Sequence, residues 1–177
     1  MLILILLLAF ATAAHAQMPG PNPAELEAMK KLDYMVGHWQ GDSWILGPGG
    51  QRMTSRGSET VQWKLGGKVL LVEGLFKSPA PDGTEFTSHE TLAVISFDAR
   101  KSAYNFRTYT ARGGAGDHEL KLVGQRGWQW TMSGSGGSTI RFTSQFTDDG
   151  KWVEIGERSS DGETWQKFFE MTLTRVE

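Results

Sequence analysis

The chain has 177 residues, a formal charge of −2 and no cysteine. Near-neutral charge with mixed signs argues against general attraction to nucleic acid or an anionic membrane, and the missing cysteine excludes disulfides and lipid attachment at a processed Cys. The 22 glycines fall in clusters, and seven tryptophans lie among the alternating segments between them, a pattern that suits an all-β protein with many turns.

Leu2 to Ala14 is almost wholly apolar, and Ala14-His15-Ala16 has the small-x-small pattern cut by a signal peptidase. Residues 1–16 therefore read as a secretory signal peptide with cleavage before Gln17, although no Lys or Arg precedes the apolar run. That run is well short of the roughly 20 residues a spanning helix needs. The expected location is secreted or periplasmic, with no membrane association after cleavage. The expected mature domain is large enough to bury about 68–70% of its unfolded surface. Residues 17–23 form a Pro-rich leader, and 24–177 a single domain.

A short helix opens the domain. Asn22 suits the N-cap, Pro23 the first helical position, and Leu26, Met29 and Leu32 mark one face. From Gly37 the hydrophobic period switches to two. Ten strands are predicted, over 38–46, 53–65, 68–78, 84–97, 102–111, 117–123, 127–134, 138–147, 151–159 and 164–176. Their separators are Gly-rich or Asp-Gly turns of hairpin length. Sequential hairpins without intervening helices predict an up-and-down meander, and closing it removes the exposed edges.

Alternation assigns faces. Phe169, Met171 and Leu173 share a face with Arg175, and Phe168 falls on the opposite, mostly polar one. Trp128 and Trp130 share a face, and Trp152 shares one with Glu154. On 84–97 the inward face is ambiguous between Ala93, Ile95 and Phe97 on one side and Leu92 and Val94 on the other. His89 and Glu90 must point to opposite faces, and Glu90 is taken as the polar group of a pocket. Arg107 and Tyr109 share a face with Asn105; turned inward, they would hold an anion or carbonyl. Turned outward, they would make cross-strand pairs. Glu73 interrupts the apolar run Val69-Leu70-Leu71-Val72 and requires a partner if buried. His38 reads as a rim residue and His118 as solvated beside a glycine loop. The segment Ser159 to Trp165 reads as a turn.

Gly37-His38-Trp39 and Thr174-Arg175-Val176 resemble the first and last strands of calycin barrels, the lipocalins and fatty-acid-binding proteins. The resemblance implies a closed barrel in which Trp39 plugs one end and Arg175 packs across its indole. Leu32 to Gly41, His89 to Leu92, Phe97 to Lys101 and Ser159 to Glu170, in that order and spacing, resemble bacterial secreted proteins of domain of unknown function 1579, a lipocalin-like group. The likeness covers nearly all of 32–177 and implies a fold rather than a chemistry. Haem barrels of the nitrobindin type, related by architecture, take their iron ligand from a late-strand histidine; here the last histidine is His118. No cofactor and no metal are therefore expected.

Two functions follow as expectations. The first is a carrier or sensor of a small apolar or amphipathic ligand. The second is a cofactor-free enzyme resembling phenolic acid decarboxylases, for which Arg107, Tyr109 and Glu90 supply the residue types. The candidate ligand-binding residues are Arg107, Tyr109, Glu90 and Glu73, with Trp39 and Arg175 at the barrel end. A purely structural or interaction module is a third possibility, which large apolar patches outside the barrel would favour.

Overall fold

Asparagine followed by proline opens the first helix. The side chain of Asn22 accepts a hydrogen bond from the Ala24 amide at 3.1 Å, and the N–H that Pro23 lacks is one the first turn leaves unpaired in any helix. The computed structural model describes residues 20 and 22–176; the expected signal peptide and most of the leader lie outside them. Helix α1 runs from Pro23 to Lys30. A 3-10 turn, Asp33–Met35, then leads into the first strand. Met29, Leu32 and Met35 are fully buried under the barrel, and the Tyr104 hydroxyl donates to the Ala28 carbonyl at 2.6 Å, fastening the helix to the wall.

Ten strands follow: β1 (Gly37–Leu46), β2 (Arg52–Lys64), β3 (Val69–Pro79), β4 (Glu85–Asp98), β5 (Ala103–Thr110), β6 (Ala115–Leu122), β7 (Gly127–Ser133), β8 (Thr139–Phe146), β9 (Lys151–Ser159) and β10 (Gln166–Arg175). Each pairs antiparallel with its neighbour in sequence, and β1 pairs with both β2 and β10, so the barrel closes. This is the expected up-and-down barrel with a short N-terminal helix. Its hairpins follow from turn chemistry. At the β8–β9 turn Gly150 has φ +78°, a conformation that costs glycine little, and its amide donates to the Thr147 carbonyl at 3.1 Å.

Burial fixes the alternation. Ala93 and Ile95 of β4 are buried, which settles the ambiguous face and turns Leu92 and Val94 outward. Tyr104 and Phe106 are the inner residues of β5, so Asn105, Arg107 and Tyr109 form its outer face. One assignment changes for a local reason. A bulge between Lys167 and Phe169 breaks the period of β10, and Phe168, expected on the polar face, brings its ring within 5.9 Å of the inner Phe142 while Phe169 reaches the same ring at 5.8 Å.

Candidate functional site

One end of the lumen is closed by a buried floor; at the other end, the mouth, lumen-facing apolar side chains stay exposed. At the floor Trp39 is 1% exposed and its indole N–H donates to the Met35 carbonyl at 2.9 Å. Edge-on and stacked contacts link Trp39, Phe146 and Trp152. The Arg175 guanidinium carbon lies 4.3 Å from the Trp39 ring centroid, and the same group donates to the carbonyls of Val36 and Tyr34. Trp39 and Arg175 meet at one barrel end, as the resemblance implied. Burial also pushes the pKa of the Tyr34 phenol up to about 12, so it stays a neutral donor, 3.4 Å from the Gly127 carbonyl.

Directly above this floor two carboxyl groups enter the lumen. Glu59 of β2 stands opposite Trp39 in the ladder and shares the inner face with Val61. Glu154 of β9 shares the inner face with Trp152. Only β1 and β10 separate their strands around the wall. The Ser144 hydroxyl donates to Glu154 Oε2 at 2.5 Å and accepts from Trp152 Nε1 at 3.0 Å, so Ser144, itself fully buried, fixes one carboxyl to the floor. Glu59 is 8% exposed, and its Oε2 has no hydrogen-bond partner. Its carboxyl lies over Gly74: a Cβ there would come within 2.5 Å of Glu59 Oε1, so glycine makes the room. Burial raises the Glu59 pKa to about 8, and the charge of Glu154 adds to the shift. Burial likewise raises Glu154 to about 7, against the opposing hydrogen bond from Ser144.

Above the carboxyls the lumen is aromatic. Trp130 stacks on Phe142 at 4.8 Å, and the His118 ring lies 4.5 Å from Trp130. His89 faces inward opposite Phe76. Burial pushes both imidazoles below their ordinary value, Arg112 adding to the effect at His89, so both are neutral at pH 7. At the mouth Ile45, Met53, Phe86 and Met132 stand on lumen-facing positions of their strands yet remain 39–46% exposed. Among the described residues no helix covers them; α1 sits at the other end.

The residues expected to bind ligand are elsewhere. Glu73 and Glu90 are exposed on the outer wall, opposite Leu92 and Leu75. Arg107 donates to the Tyr109 hydroxyl at 2.6 Å and forms an ion pair with Asp117 of β6, the cross-strand alternative. The four side chains line no part of the lumen, so the expected Arg–Tyr–Glu pocket is not formed there. The reason is parity: the large apolar residues of β3, β4 and β5 take the inner positions, and these polar ones are odd-numbered steps from them. His89, not Glu90, is the inward member of its pair, and His118 is half-buried in the lumen rather than solvated. His38 is half-buried on the outer face, bonded to Thr60 Oγ1 at 2.9 Å. Ser159–Thr164 is a turn, in which the Asp161 carboxylate accepts from two backbone amides that hold it well below its ordinary range. Glu59 escaped the sequence reading; its signal was a carboxylate on the same parity as Val61 and Trp63.

Among the described residues no cluster of three or more His, Asp or Glu is placed to hold a metal ion, and no helix is long and apolar enough to cross a membrane. Haem of the nitrobindin type finds no late-strand histidine here, since β7 to β10 carry none; the imidazoles in the lumen come from β4 and β6. A groove of about 590 Å³ runs across β1 to β4, but its lining of Asp42, Arg56, Lys77 and Glu85 is open and mixed in sign. Comparison with known protein families and with curated proteins finds no match.

Proposed function

We propose that this chain is a secreted or periplasmic lipocalin-like barrel, akin to the proteins of domain of unknown function 1579, that binds a small apolar or amphipathic molecule in the open half of its lumen. The observation that carries the reading is the mouth. Ile45, Met53, Phe86 and Met132 are lumen-facing apolar side chains left in water. A protein selected for stability alone would cover or replace them, whereas a concave apolar surface with a few convergent polar groups is what a small-molecule site requires.

Native mass spectrometry of the protein purified from its own host tests this. The expected result is a stoichiometric small-molecule adduct that is lost on denaturation. Adduct-free protein whose melting temperature no member of an apolar ligand panel moves would refute it. The same preparation tests export, since its N-terminus should be Gln17. It also tests haem: we expect no stoichiometric Soret shift on haemin titration, and a shift abolished by His89→Ala would reassign the lumen to haem.

A second reading is acid–base catalysis without a cofactor. What favours it is Glu59 and Glu154, whose pKa values of about 8 and 7 suit a general acid or base near neutrality. Conversion of the bound molecule, seen as a second mass in the same experiment and lost in Glu59→Gln, would separate an enzyme from a carrier.

A further inference from the structure

Two lumen carboxyl groups with no cation beside them call for a ligand that brings one. Among the described residues neither Glu59 nor Glu154 forms an ion pair. The lumen-facing titratable groups are few. β2 contributes Glu59 and β9 contributes Glu154, with Arg158 towards the mouth, its guanidinium 5.3 Å from the Phe168 ring centroid. β4 and β6 contribute the neutral His89 and His118, and β5 contributes Tyr104, already donating to Ala28. β10 contributes Arg175, occupied at the floor by Trp39 and two carbonyls. The inner faces of β1, β3, β7 and β8 carry no titratable side chain. Glu59 Oε2 thus remains a buried acceptor without a donor, a costly state that native proteins seldom keep without use.

We infer that Glu59 and Glu154 form the recognition site for a cationic head group, an ammonium or amidinium carried on a small aromatic body. This rests on the reading of the lumen as a ligand site. Two observations favour a cation over a neutral donor. Two carboxyl groups desolvated close enough to feel each other resist ionising together unless a positive charge lies between them. The walls above them are ring faces and edges of Trp130, Phe142 and Phe106, and ring faces attract cations further. Gly74 seats the Glu59 carboxyl against β3, where any Cβ would collide with it. The second buried orphan, the Trp128 indole N–H, is a donor and would meet an acceptor on the same ligand.

Because binding a cation requires ionised carboxyls, it expels protons from Glu59 and Glu154, and affinity should rise with pH. The rise is up to about tenfold per pH unit for each proton released. An acidic ligand would show the opposite slope, and a neutral alcohol almost none.

Isothermal titration calorimetry with three probes of one shape decides the matter: tryptamine (cation), tryptophol (neutral) and indole-3-propionate (anion), each from pH 6 to pH 8. The amine stays charged throughout, with a pKa near that of lysine, about 10. We expect tryptamine to bind, to gain at least tenfold in affinity over this range, and to release protons when the heats are compared in two buffers. Glu59→Gln and Glu154→Gln, close isosteres, should each flatten the slope. Tighter or equal binding of tryptophol or indole-3-propionate, or a flat tryptamine profile in the wild-type protein, would overturn the inference while leaving the lumen a ligand site. If none of the three binds, the inference fails; if the purified protein also carries no adduct, the ligand-site reading fails with it.

Discussion

The floor and the mouth of this barrel are lined from the same short menu of aromatic and aliphatic side chains, yet they meet water differently. Trp39, Leu173 and Ile95 at the floor are no more than 1% exposed, whereas Phe86 and Met53 at the mouth are 45% and 46% exposed. The strands alternate in the same way at both ends. What differs is the cover. α1 and the following turn place Met29, Leu32 and Met35 under the floor, and among the described residues nothing equivalent sits over the mouth. Alternation sets which side chains face the lumen, and a single amphipathic helix decides which half becomes core. Glu59 and Glu154 stand at the boundary between the two regimes, where desolvation acts on carboxyl groups that have no ion-pair partner, Ser144 bonding one of them and nothing bonding Glu59 Oε2.

The comparison predicts a gradient of mutational cost. The largest effect falls at the floor: Trp39→Ala removes a fully buried indole and should cost about 3–5 kcal/mol in a denaturant titration. A loss below about 1 kcal/mol would mean the floor is not the core. Next comes the boundary. Between the usual carboxylate range and about pH 8 the folded protein holds protons on Glu59 that the unfolded chain has released. Stability from this group is therefore fully present at low pH and is lost as pH rises through that window. Glu59→Gln should remove the loss, so the variant should melt several degrees above wild type at pH 8 and close to it at pH 5. His89 and His118, lowered in the folded state, act in the opposite sense as pH falls below about 6.5, and they contribute equally to both proteins. A variant that is less stable than wild type at pH 8 would contradict the account.

Smaller effects follow. Arg175→Met keeps the aliphatic cover on Trp39 but loses the guanidinium over the ring and its two carbonyl contacts. The expected cost is about 1–3 kcal/mol, measured by the same titration. Phe86→Ala at the mouth should change stability by less than about 1 kcal/mol, since so much of the ring is already in water, while weakening any lumen ligand. Equal costs for Phe86→Ala and Trp39→Ala would erase the distinction between the two ends.

Most of the architecture could be read before the structure. Turn residues placed ten strands within a few residues of their observed ends, and Gly37-His38-Trp39 with Arg175 located the floor. The site could not be read in the same way, and the reason is local. Glu73 interrupts an apolar run, but β3 is apolar on both faces near the floor, so contrast with its neighbours carries no information about direction. Glu59 and Glu154 lie in strands of mixed composition and look ordinary; only their parity with Val61 and with Trp152 places them inside. Arg107 and Tyr109 form a plausible pocket face with Asn105, and the large apolar Tyr104 and Phe106 of the alternate parity carry the opposite and decisive signal. Phe168 could not be placed by parity, because the bulge in β10 shifts the period by one residue.

Two carboxyl groups without a cation beside them stand inside the lumen above a buried floor, one held by Ser144 and one with an unbonded oxygen. The most direct measurement is a pH titration of the glutamate side-chain carboxyl ¹³C resonances by NMR, with Glu59→Gln and Glu154→Gln to identify the pair. The account predicts two resonances whose midpoints lie well above the others, near pH 7 and 8, with each substitution removing one and pulling the other towards the usual range. All glutamates titrating together near the ordinary value of about 4.3 would contradict it.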